Sequence, residues 1–140
     1  MNILMTAAEI LLAIWFFGCL CTYKIGNAVL VEGEGIKSPE FVMFCLHVTG
    51  IVLFITVPAA GKWWLLSVLS VWFVLQFFSH WFYTIFGASE KKLKGYNEYF
   101  RSTVHWIPAS DRRLIPDLYH TILHLLILCN TALTVWYIFR

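Results

Sequence analysis

The residues in this chain best suited to chemistry are its histidines. Four of the five, His47, His80, His120 and His124, fall inside long apolar stretches. An uncompensated imidazole in an apolar medium is costly, so each of these side chains implies a partner or a task. His120 and His124 follow Asp117 at spacings of three and four, which puts all three on one face of a helix. Such an Asp-x-x-His-x-x-x-His stripe, opposed by a histidine from another helix, is what a metal site inside a helical bundle requires. The expected ligand set is His80, His120 and His124, completed by His47 or Asp117. Imidazole and carboxylate donors suit Zn or non-haem Fe. Three histidines with one open position would make a catalytic centre rather than a structural one. The same residues serve two alternatives. A bis-histidine haem needs His47 or His80 facing His124, and a proton relay needs titratable groups in series. The plainest reading is that interfacial histidines satisfy only backbone and tyrosine partners.

The elements that must position these residues follow from composition. Of 140 residues, 60% are hydrophobic and only 13% charged, with mean hydropathy +0.74. A soluble domain carries about 25% charge, and a chain this short has too little interior to hide so much apolar surface. Lipid is therefore the expected solvent. A bilayer core of about 30 Å needs roughly 20 apolar residues per helix. Four segments qualify, at 3–23, 41–57, 63–86 and 118–139. The expected fold is an all-α integral membrane protein, a single four-transmembrane-helix bundle over 1–140.

Local signals set the boundaries. Ser38-Pro39-Glu40 reads as a cap, a first-turn proline and a carboxylate at the positive end of the dipole. Pro116-Asp117 opens the last segment similarly, and Pro58 with Gly61 predicts a tight turn between the second and third. Lys62-Trp63-Trp64 and Trp136-Tyr137 through Arg140 read as interface anchors. A cleaved signal peptide is not expected, because Met1-Asn2-Ile3 offers no basic n-region. Phe16-Phe17-Gly18-Cys19 also lacks the aliphatic residue of a lipoprotein cleavage site.

With four spans, the loops Lys24–Glu40 and Gly87–Pro116 share one face. That face holds Lys24, Lys37, Lys91, Lys92, Lys94, Arg101, Arg112 and Arg113, against Lys62 and Arg140 on the other. The positive-inside rule makes the loops cytoplasmic and both termini external. This topogenic role, with some affinity for anionic headgroups, explains the lysine cluster without nucleic acid. At 1.5 Å per residue, the four histidines then lie roughly 5–12 Å below the cytoplasmic surface. Within the longer loop, Leu93, Tyr96 and Phe100 share a face. This predicts a short amphipathic juxtamembrane helix between the third and fourth spans. Val104-His105-Trp106-Ile107-Pro108 is too apolar for a free loop and is expected to tuck against the bundle mouth.

Cys19, Cys21, Cys45 and Cys129 form no C-x-x-C pair, which argues against a thiol oxidoreductase and for packing roles. Glu9, in the first span, is expected to snorkel to the outer interface; its functional alternative is proton coupling in a small transporter. Gln76, Ser79, Thr84, Thr131 and Thr134 can bond between helices. Tyr83, Tyr119 and Asn130 are candidates to line a cavity beside the histidines.

His120-x-x-x-His124 on a spanning helix resembles the spacing in membrane hydrolases of the ceramidase and adiponectin-receptor type. The resemblance implies zinc-assisted attack of water on an ester or amide bond. It covers these two residues alone, since those proteins have seven spans. Membrane fatty-acid hydroxylases use many more than five histidines. The functional expectation is a histidine-lined, metal-binding site near the cytoplasmic leaflet, open to a lipid-like substrate. A proton-coupled transporter, a haem protein and a non-catalytic accessory subunit are the alternatives. A homo-oligomer or a larger membrane partner would complete a bundle this small.

Overall fold

The computed structural model describes residues 3–108 and 110–140. Met1 and Asn2 of the signal-peptide reading lie outside them. The chain is mostly helical, and four of its helices are long and apolar enough to cross a membrane. Helix α1 (Ile3–Phe17) runs into a tighter 3-10 turn, Gly18–Leu20, and stops there rather than at residue 23. Beyond it the sequence turns aromatic and β-branched, and strands β1 (Tyr23–Ile25) and β2 (Ala28–Val31) pair as an antiparallel hairpin. Gly26 in its two-residue turn has φ 61°, the positive value such a turn demands. This hairpin is a small departure from the all-helical expectation.

Helix α2 (Pro39–Thr56) begins as its sequence predicts. The Ser38 hydroxyl accepts from the Phe41 N–H at 3.2 Å and donates to the Gly35 carbonyl at 2.8 Å. Helix α3 (Pro58–Gln76) starts five residues before the predicted Trp63. Pro58 is the first residue of the new helix, and Val57 alone links it to α2. Gly61 therefore lies inside α3, not in a turn. A Cβ there would collide with the Phe54 backbone, so only glycine lets α2 and α3 approach this closely.

Helix α3 continues through one π-helical turn, Phe77–Trp81, into α4 (Phe82–Phe86). Four residues of α-helix overshoot a full turn by about 40°, and the wider π turn offsets that drift. Trp72, Gln76 and His80 are all buried along this rod. Helix α5 (Glu90–Tyr99) follows, with Leu93 and Phe100 buried and Lys91, Lys92 and Lys94 exposed. Ser89 stands at its N-cap without making the capping bond.

Two hydrogen bonds tie back the segment after α5, while Trp106 and Ile107 stay exposed. The Val104 N–H donates to the Val29 carbonyl at 3.1 Å, and the Trp106 indole donates to the Thr121 hydroxyl at 3.1 Å. Helix α6 (Leu118–Phe139) matches its predicted span. Its cap is Asp117, whose Oδ1 accepts from the His120 N–H at 2.8 Å. One core cluster includes Leu12, Phe16, Met43, Leu69, Trp72 and Leu123; a smaller one joins Met5, Ile51, Phe54 and Leu65. All four cysteines are free, and Cys19 alone is buried.

Candidate histidine site

The predicted residues divide into two groups. His80, His120 and His124 converge, with ring centroids 5.3 Å apart for His80–His120 and 5.1 Å for His80–His124. Asp117 joins them: its Oδ1 accepts from His120 Nδ1 at 2.7 Å. His47 does not join. Its Nε2 meets Glu9 Oε2 at 2.8 Å, in a separate buried pair.

Each imidazole in the convergent group has a defined role. Asp117 is wholly buried. Burial alone would raise its carboxyl, but the hydrogen bonds and charge of His120 outweigh that and hold it below its ordinary 3.8. An ionised carboxylate only accepts, so His120 Nδ1 carries a proton toward Asp117, and in the neutral ring Nε2 presents a lone pair. This is the posture of a general base or an acceptor for a ligand N–H or O–H. His80 Nδ1 lies 2.8 Å from the Tyr96 hydroxyl. Burial pushes the Tyr96 phenol up, so it stays protonated. His124 differs. Its Nδ1 accepts from the Trp81 indole N–H at 2.7 Å, so the remaining proton is on Nε2, which donates to Gln76 Oε1 at 2.9 Å. Both nitrogens of His124 are consumed by the protein.

A metal centre on His80, His120 and His124 would have to displace one of these two bonds. A ligating imidazole needs one unprotonated, unoccupied nitrogen, and His124 has none. Of the ring nitrogens in this convergent group, the Nε2 atoms of His80 and His120 are the two without a hydrogen-bond partner among the described residues. Nor do the described residues include any group of three or more His, Cys, Asp or Glu side chains that could hold a metal ion. A bis-histidine haem would likewise need His124 to give up one of these bonds, with His80 or His47 as the facing ligand.

His80 and His120 line a pocket of about 550 Å³. One wall is apolar, from Trp72, Leu75 and Phe100. The polar lining carries both signs, with Lys92 from α5, Glu34 from the approach to α2 and Glu40 from its first turn. Glu34 also accepts from the Tyr99 hydroxyl at 3.0 Å, and burial followed by this bond pushes the Tyr99 phenol up to about 12.

The second group corrects the reading of Glu9. It is 1% exposed and does not snorkel. Its two oxygens take His47 Nε2 and, at 3.2 Å, the Thr134 hydroxyl of α6. Depth was the signal for this pair: six residues into α1 and eight into α2 are both well below the helix ends, where a carboxylate needs a partner. Gln76 and Ser79, read as bonding side chains, reach the first group: Gln76 holds His124 and Ser79 lines the pocket. Tyr119 and Tyr83 do not line it. Tyr119 stacks on Trp15 and hydrogen-bonds its carbonyl, while Tyr83 sits under the Lys92 ammonium at 3.7 Å. Trp72 and Trp81 had no such signal, since aromatics are common in apolar helices.

No protein-family model matches this chain, nor does any curated protein or solved structure.

Proposed function

We propose that this chain is a multi-pass membrane protein whose histidine-lined pocket binds the polar head of a zwitterionic, lipid-like molecule at the cytoplasmic leaflet. The four long helices cross the bilayer, with both termini outside and the hairpin and long loop inside. Outward-facing Leu11, Ile14, Val52, Val74, Phe78 and Leu125 support insertion, because a water-soluble monomer does not expose so continuous an apolar surface. Lys62 over the Trp63 ring and Arg140 over the Trp136 ring, 5.9 and 4.8 Å from their centroids, suit the opposite headgroup belt. The face of α5 that carries Lys91 and Lys94 rests on the inner surface.

The observation that carries the reading is the pocket itself. It joins an apolar wall to His80, His120, Lys92, Glu34 and Glu40. An amphiphile fits that division: tail against Trp72 and Leu75, anionic part toward Lys92, cationic part toward the two glutamates. The His120 lone pair accepts a hydrogen bond from the head. Ligand binding raises the melting temperature of a protein by mass action. A zwitterionic phospholipid should therefore raise the Tm of the detergent-purified protein more than an anionic lipid of the same chains. Filling the pocket with His120→Phe should abolish that rise. Equal stabilisation by both lipids, or a full response in His120→Phe, would overturn the reading.

A further inference from the structure

Between the two histidine groups lies a small, mostly enclosed cavity. Leu12 and Phe16 of α1, Met43 and His47 of α2, Val68, Leu69 and Trp72 of α3, and Ile127 of α6 surround it. All but two of these side chains are purely apolar or a thioether. The exceptions are unusual. His47 Nδ1 and Trp72 Nε1 are both buried without a hydrogen-bond partner, on side chains only 1% and 4% exposed. Buried polar atoms are nearly always satisfied, by protein or by ordered water. Here two orphans of complementary character line one cavity: an indole that can only donate, and an imidazole nitrogen able to accept. The space open to a water molecule's centre is about 10 Å³, at the lower limit for holding one water.

We propose that this cavity is a binding site for a single water, which accepts from Trp72 Nε1 and donates to His47 Nδ1. The Met43 thioether is the one further weak acceptor in its wall. The consequence reaches beyond packing. Glu9 occupies Nε2 of the same imidazole, and Trp72 lines both this cavity and the larger pocket. The water thus links a hydrogen-bonded series, Glu9–His47–water–Trp72, whose last member lines the pocket holding His80 and His120. Glu9 is the one titratable side chain bonded to His47 among the described residues, so the water is the contact through which that pair reaches the pocket side. None of this depends on the pocket's ligand.

The test is solid-state NMR of the ¹⁵N-histidine, ¹⁵N-tryptophan-labelled protein in lipid bilayers. It follows transfer of water magnetisation to individual ring nitrogens. The expected result is early transfer to both His47 Nδ1 and Trp72 Nε1, at equal rates. Val68→Ile adds one methylene to the cavity wall and should remove both signals while leaving the Glu9–His47 resonances in place. Should that variant fail to fold, Met43→Leu, of similar volume but without the thioether, should keep both signals. Absence of transfer to either nitrogen in the unaltered protein would overturn the proposal. So would undiminished transfer in a folded Val68→Ile protein, which would mean that water reaches His47 another way.

Discussion

Removing His47 should damage this protein more than removing the carboxylate it holds. Glu9 and His47 are each 1% exposed, and Glu9 retains only the Thr134 hydroxyl at 3.2 Å once the imidazole is gone. Removing one partner of a buried hydrogen-bonded pair strands the other away from solvent, at about 1–3 kcal/mol and more where that group is charged. His47→Leu should therefore lose stability of that order. Glu9→Gln keeps the shape and both hydrogen-bonding positions, and bonds between transmembrane helices average about 0.6 kcal/mol, so its loss should stay near about 1 kcal/mol. The double variant Glu9→Leu/His47→Leu removes both polar groups at once, and such replacements are often close to neutral. A double-mutant cycle on the leucine variants should then give a coupling of at least about 2 kcal/mol. Reversible unfolding in mixed micelles, or steric trapping in bicelles, measures each corner. If the losses of the two single leucine variants simply add in the double variant, the pair is not an energetic unit and the reasoning fails.

Other outcomes follow from the convergent group and the topology. His124→Ala strands Gln76 and the Trp81 indole, at about 1–3 kcal/mol for each unsatisfied group. It should leave lipid-induced stabilisation intact, whereas His120→Phe abolishes that response; thermal melts with and without lipid separate the two. Asp117 is held below its ordinary 3.8, so its contribution is complete above that pH and is lost as pH falls through the lower folded value. Asp117→Asn should therefore lower stability by a constant amount near neutrality and flatten the acid limb of the stability–pH profile below about pH 4. An unchanged acid limb would mean that the His120 contact is energetically idle. In a cysteine-free background, Ser110→Cys should resist a membrane-impermeant thiol reagent in intact cells while Lys62→Cys reacts, and the reverse pattern would invert the topology. Tyr96→Asp should raise protease sensitivity of the α5 segment far more than Lys94→Asp, because Tyr96 holds His80 and Lys94 is exposed.

Much of this was legible in the sequence, because apolar length and helix caps are local signals. Ser38 and Asp117 each accept from the backbone N–H three residues on, as their types and positions imply. The convergence of His80, His120 and His124 followed from hairpin topology and helix period. What the sequence concealed was the orientation of single rings. Depth alone put His47 beside the other histidines, but its face of α2 turns toward α1, where Glu9 waits. The hydrogen bonds that use up both nitrogens of His124 come from Trp81 and Gln76, whose effect depends on a π-helical turn that no periodicity announces. The hairpin at 23–31 escaped because three- and four-residue strands carry little pattern, although Gly26-Asn27 was a turn signal. Gly61 was read as a breaker, when its job is to let two backbones touch.

The central claim is that His80 and His120 face a ligand while His47 belongs to a separate buried pair. The most direct measurement is ¹⁵N NMR of the histidine-labelled protein in nanodiscs, titrated with a short-chain zwitterionic phospholipid. The expected result is that the Nε2 resonances of His80 and His120 shift with lipid concentration, saturate together, and leave His47 and His105 unmoved. A titration in which neither ring responds, or in which all five histidines move alike, would contradict it.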